Sequence, residues 1–318
     1  MTLRIGSSLF VIAAALNAHA ATNDCDRACL RNALDQYLNA VVKHDPAAAP
    51  LFNAFRQTEN AVVVRAGTGT WKTVTALGKA QHRFLDPVSG QAGYFGTVEE
   101  SGEPAIVTVR VKVENRKISE AEWFIARKGD PGLNGPQVPG QPAGNFFDPE
   151  NLAFNGPPDK PLGKEGRPSR ETLIAVTNSY FDGLTTHDGS IIMAHPGCAR
   201  LENGRTVTGQ PGRGNPSGPP TDCTSGLATI NIENVAARRY PVVDEEAGVV
   251  LALGVFLRKP GTATRRNAFS EWFAIENNKI RSVYSAMFYP SPEAPVPNWP
   301  PYDGNWPLPA SLAPSAVK

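Results

Sequence analysis

The chain has 318 residues, of which 41% are apolar, 19% charged and 8% aromatic, a globular composition with enough apolar material for a sizeable core. Its 31 Lys and Arg nearly cancel its 30 Asp and Glu, which argues against a nucleic-acid binder, since that function needs a basic face. The length suggests about two domains.

Residues 1–20 are expected to be a signal peptide. Arg4 supplies a short positive start, Ile5 to Leu16 an apolar stretch, and Ala18-His19-Ala20 an A-x-A cleavage pattern. The alternative is a short buried helix. No later apolar run approaches the roughly 20 residues needed to cross a bilayer, so no membrane span is expected after cleavage, and the location implied is secreted or periplasmic. Four cysteines, Cys25, Cys29, Cys198 and Cys223, fit an oxidising compartment. They allow three pairings; the favoured one is Cys25–Cys29 with Cys198–Cys223, each local in sequence. A metal site is the weaker alternative, because structural zinc wants four clustered ligands.

A first domain is expected over residues 25–128. Leu30, Leu34, Tyr37, Leu38, Val41 and Val42 recur at helical spacing. That helix should end near His44-Asp45, with Pro46 as a stop signal. Strand signals follow at Ala61–Arg65, at Ile106–Val113, where valines alternate with Thr108, Arg110 and Lys112, and at Trp123–Ala126. Glu114–Lys117 sits where a hairpin turn is wanted. Residues 129–168 hold 17 Gly or Pro in 40 and read as a linker without regular helix or strand, packed down by Phe146, Phe147 and Phe154. A second domain is expected over 169–290. Leu173, Tyr180, Phe181 and Leu184 mark its helix, and Gly248–Leu257, Phe269–Ile275 and Ile280–Phe288 its strands. Residues 291–318 form a Pro-rich tail with Trp299, Tyr302 and Trp306.

The two domains are one sequence repeated. Tyr37, His44-Asp45 and Glu59-Asn60 match Tyr180, His187-Asp188 and Glu202-Asn203 at an offset of 143. Asp86, Gly90 and Gly96 match Asp244, Gly248 and Gly254 at 158, and Glu114–Ile118 matches Glu276–Ile280 at 162. A growing offset is what loop insertions in the second copy produce. Gly209–Pro220, with eight Gly or Pro in twelve residues, is one such insertion. The expected fold class is therefore α+β: two tandem cone-shaped domains, each a helix packed in a strongly curved antiparallel sheet. A cone with an open end is a natural small-molecule pocket.

This order resembles the nuclear transport factor 2-like (SnoaL-like) superfamily, which includes polyketide-cyclase-like and ketosteroid-isomerase-like proteins. The residues that carry the resemblance are the first helix ending in His44-Asp45, the strand Phe55–Asn60 and the hairpin Glu114–Ile118, all three repeated in the second copy. Cys25–Leu30 with His44-Asp45-Pro46, and Cys198, Arg200, Glu202-Asn203-Gly204, Arg238-Arg239, Pro241 and Asp244-Glu245-Glu246, are similar to a family of secreted fungal and bacterial proteins of unknown function. The resemblance implies the cone fold and leaves the activity open, because this superfold hosts enzymes and binding modules alike.

No G-x-S-x-G, H-E-x-x-H or G-x-G-x-x-G motif is present. No cofactor and no metal are expected. Arg200 and Glu202 are two apart and so share one face of a strand, which is the concave face if they serve a pocket. The first copy has Gln57 and Glu59 there, so the second copy is the more promising pocket. Arg200 and Glu202 are the candidate catalytic pair; a structural ion pair is the alternative. Arg238 or Arg239 is a candidate clamp for a carboxylate or phenolate, against a role in bracing the neighbouring acidic loop. Tyr180, Glu271 and Trp272 are candidates to line the pocket, against ordinary core packing. His44 and His187 suit the negative ends of their helices. Asp86 and Asp244 suit turns. The function expected is a small-molecule pocket for an apolar or aromatic compound in an exported protein, as a cofactor-free lyase or isomerase in which Glu202 moves the proton. The alternatives are a non-catalytic binding module and an interaction protein whose two domains pair as an intramolecular pseudo-dimer with filled cones.

Overall fold

Asp26 accepts a hydrogen bond from Cys29 N and starts α1 (Arg27–Val42), which buries Leu30, Leu34, Tyr37, Leu38 and Val41 along one stripe. The structure, a computed structural model, describes residues 24–135, 145–158, 160–210, 218, 220–291 and 293–294. The expected signal peptide, most of the Gly209–Pro220 insertion and the tail aromatics Trp299, Tyr302 and Trp306 lie outside the described residues. After α1 come β1 (Leu51–Glu59), β2 (Val62–Val64), a single turn α2 (Thr70–Thr73), β3 (Val74–Asp86), β4 (Gln91–Glu100), β5 (Glu103–Glu114) and β6 (Lys117–Arg127). The second domain repeats the series. It runs through α4 (Arg170–Thr186), capped by Ser169, then β7 (Ala194–Glu202), β8 (Arg205–Thr206), β9 (Ile232–Asp244), β10 (Val249–Arg258), β11 (Asn267–Glu276) and β12 (Lys279–Phe288).

The strand orders are β2-β1-β6-β5-β4-β3 and β8-β7-β12-β11-β10-β9, the same topology twice. The expected hairpins are present. Asn115-Arg116 and Asn277-Asn278 turn them with φ of 50°, 60°, 51° and 59°, the paired positive values of a two-residue hairpin turn. The sheets are mixed, not wholly antiparallel as expected: β1 runs parallel to β6, and β7 parallel to β12. The physical reason is that the first strand returns beside the last only after a long crossover, which parallel pairing requires. The repeated Glu-Asn pair has a structural use here. Asn60 bonds both backbone groups of Ile125 (2.9 and 2.8 Å), and Asn203 does the same to Met287 (3.2 and 2.8 Å).

Three expectations are corrected. Residues 129–168 do hold a helix, α3 (Pro149–Asn155). Asp148 caps it, Pro149 opens it and Leu152 is its buried residue, while Phe154 points to solvent. His44 and His187 do not serve the helix ends through their rings. Both take left-handed φ (58° and 59°), and their rings reach the carbonyls of Trp71 and Ile232 at 2.7 Å. Asp86 and Asp244 do more than close turns. Asp244 binds Arg27 (2.7 and 3.0 Å) and Leu85 N (2.7 Å), and Asp86 binds Arg170 (2.9 Å) and Val243 N (2.9 Å). These are the same contacts exchanged between domains.

The layers run α1, first sheet, second sheet, α4. One core lies between each helix and its sheet, and a third lies between the sheets, where Phe84, Phe95, Phe124, Leu251, Trp272 and Phe288 meet. Ser270 Oγ and Thr108 Oγ1, matching positions 162 apart, bond each other at 2.8 Å, so the pseudo-two-fold axis passes between them. Trp272 comes so close to Gly93 that a Cβ there would sit 2.3 Å from the indole.

Candidate functional site

In the first domain three large aromatics pack between α1 and the sheet. Tyr37, Trp71 and Trp123 are fully buried. Trp71 Nε1 and Tyr37 Oη both donate to Gln57 Oε1 (2.8 and 2.7 Å), and Trp123 Nε1 donates to Tyr37 Oη (2.8 Å). Glu59 is held by Thr70 and by Gln57 Nε2. Trp71 is delivered by α2, which follows Gly69.

The second domain carries different residues at the matching places: Arg200 for Gln57, Ser285 for Trp123 and Glu271 for Val109. Small Ser285 leaves the space that Trp123 fills, and among the described residues no tryptophan lines the mouth. The result is a cavity of about 340 Å³, at the small end of ligand pockets. Its polar side includes Tyr180, Arg200, Glu202, Asp222, Arg258, Asn267 and Tyr289; its apolar side includes Leu184, Leu227, Ile230, Phe256 and Met287. Cys223 is also in the wall. Its disulfide to Cys198 on β7, with Cys223 N bonding Cys198 O at 2.9 Å, anchors the segment that carries Leu227 and Ile230. The other disulfide joins Cys25 to Cys29, so both expected pairings are present and none of the four thiols remains for a metal.

Arg200 organises the polar side. Its Nε bonds Glu202 at 3.0 Å and its Nη2 bonds Glu271 at 2.7 Å, while its guanidinium lies 5.6 Å from the centre of the Tyr180 ring. Arg200 Nη1, Asn267 Oδ1, Arg258 Nε and Glu271 Oε2 are buried without a partner among the described residues. Burial pushes the Glu271 carboxyl above its usual range, and the Arg200 guanidinium pulls it only part of the way back. Burial also raises the Tyr180 hydroxyl, so it stays a neutral donor.

The structure thus brings together Tyr180, Arg200 and Glu202 at the cavity, with Glu271 behind Arg200. The other expected residues lie elsewhere. Arg239 crosses to the first domain and pairs with Glu122 (2.7 Å), because β9 lies in the interface. Arg238 lies over the Phe181 ring and bonds Asp182 (2.7 Å) and Asn178 on the outer helix. Trp272 faces the opposite side of the sheet from Glu271, as strand alternation demands, and donates to Thr108 Oγ1 across the interface (2.9 Å). Sequence reasoning missed Arg258, Asn267, Tyr289 and the Leu227–Ile232 segment. Only the repeat alignment held a signal for Arg258, where the first copy has Glu100.

Residues 166–287, the second domain, match the model of a family described as a domain of unknown function (DUF8021). No curated protein matches the chain. Among the described residues no helix is long and apolar enough to cross a membrane.

Proposed function

We propose that this is an exported tandem protein of the nuclear transport factor 2-like kind, in which the second domain binds a small apolar or aromatic compound and the first is its scaffold. The repeated strand order with a helix over one face supports the fold reading. The two disulfides support an oxidising compartment. The observation that carries the function is the contrast between the copies. One fold position is packed with three buried aromatics in the first domain, and the second keeps a cavity of about 340 Å³ over buried polar atoms that have no partner among the described residues. Unpaired buried polar groups are costly to keep, and a ligand that meets them offsets that cost.

A catalytic reading rests on one further observation: Glu202, a carboxylate at the cavity, is held by Arg200 within a single hydrogen bond. In that reading Glu202 takes a proton from the ligand and Arg200 holds the negative charge that develops.

The test is a thermal-shift screen of small aromatic and apolar compounds on the whole mature chain, repeated on Leu227→Trp, which plugs the cavity as Trp71 plugs the first domain. Hits are expected to raise the melting temperature of the parent chain and to do nothing for Leu227→Trp. Hits that survive the plug would place binding elsewhere and end this reading. For the catalytic version, Glu202→Gln should keep binding while abolishing product formation followed by mass spectrometry.

A further inference from the structure

The hairpin joining β10 to β11 has the opposite charge from its counterpart. In the first domain the β4–β5 hairpin carries Glu99, Glu100 and Glu103; in the second the residues are Arg258, Lys259, Arg265 and Arg266. Glu100 and Arg258 end matching strands at the 158 offset. Glu100 is fully engaged by Arg127 and Thr73. The four cations of the second hairpin make no ion pair among the described residues. Arg265 donates to the Tyr289 carbonyl (2.6 Å) and Arg266 to the Ala294 carbonyl (3.0 Å). The acids within electrostatic reach are exposed Glu293, near Arg265 and Arg266, and Glu202, near Arg258.

This cationic hairpin adjoins the cavity. It encloses a groove of about 240 Å³, and Phe256 and Arg258 line both spaces. Inside the cavity, Arg200 is 8% exposed with Nη1 unpartnered, and Asn267 is 3% exposed with Oδ1 unpartnered. Arg200 is held by both Glu202 and Glu271. Arg258 makes no ion pair among the described residues, and its planar fork fits a carboxylate.

Resting on the reading of the cavity as a ligand site, we infer that its ligand is an amphipathic organic anion. The apolar body lies against Leu227, Ile230, Phe256 and Met287, and a carboxylate meets Arg258 with Arg200 Nη1 behind it. Lys259, Arg265 and Arg266 surround the entrance with positive charge and draw anions toward it.

The experiment is calorimetric titration of the full mature chain with cinnamate and with decanoate, each beside its own primary amide. The acid of a pair is expected to bind at least about tenfold more tightly than the amide, with the gap narrowing as salt is added. Arg258→Gln should bring the acid down to the level of the amide, and Lys259→Ala should chiefly slow association. Equal binding of acid and amide, or a preference for the amide, overturns this inference while leaving the pocket reading intact. An acid preference that persists in Arg258→Gln overturns the assignment of Arg258. If neither member of either pair binds, both readings fall. The acid–amide comparison is made on the parent chain, so it stands even if Arg258→Gln folds poorly.

Discussion

Arg200 is only 8% exposed and sits between two carboxylates, so the attraction between charges and the loss of their hydration both count. Removing one partner strands the other, which is far worse than removing both. Arg200→Met should therefore cost roughly 3–5 kcal/mol, because Glu271 is left charged and buried. The double change Arg200→Gln with Glu271→Val installs what the first domain carries at Gln57 and Val109, and it should recover most of that loss. Urea denaturation of the two variants checks this; equal losses would mean that the pair is not coupled. At this scale the sequence was informative about neighbours and silent about faces across the sheet. The i, i+2 spacing of Arg200 and Glu202 put them on one face correctly. Arg239 and Trp272 were misplaced because strand alternation names two faces but does not say which one a second domain will cover.

The elements that differ between the copies decide which one stays open. The first domain inserts α2 with Trp71; at that point the second has the Gly/Pro insertion and the Cys223–Ile232 segment, tied to β7 by Cys198. Reducing a bond that spans 25 residues should cost about 3.5 kcal/mol by the loop-entropy argument. The four-residue Cys25–Cys29 loop should cost about 2 kcal/mol. Melting curves of Cys198→Ser/Cys223→Ser and Cys25→Ser/Cys29→Ser should show the first as the larger loss and the only one that weakens ligand binding; the reverse order would refute the wall role of the first bond. Both long helices, β5, β6 and β10 to β12 were legible, whereas β4 was not named. The long strands β3 and β9 were not, because polar residues interrupt their apolar pattern: Lys79, Gln81 and Arg83 in one, Glu233, Arg238 and Arg239 in the other. α3 was hidden by the Gly and Pro around it, although Asp148-Pro149 is a good helix start.

At the scale of the molecule, the two sheets share a core, and each domain's N-terminal Arg grips the other's turn Asp. Arg27 and Arg170, Leu85 and Val243, Asp86 and Asp244 all match at the repeat offsets. The interface is therefore built as a symmetric dimer would build it. Cutting it exposes Leu251, Trp272 and Phe288, a patch too apolar for a stable monomer. Residues 160–294 expressed alone should self-associate in sedimentation experiments, while the whole chain should unfold in a single transition. A monomeric, soluble second domain would show that the shared core is not needed.

By itself the sequence determined the duplication, the α+β class, the two long helices, the closing hairpin of each copy, and that Arg200 and Glu202 share a face. These follow from periodicity, turn chemistry and repeat spacing, all local along the chain. Only the tertiary structure decided that Trp71 and Trp123 pack between helix and sheet in the first domain, and that the outer faces of both sheets are buried in each other. Those outcomes depend on which side chains converge from strands far apart in the chain, and no local pattern encodes that.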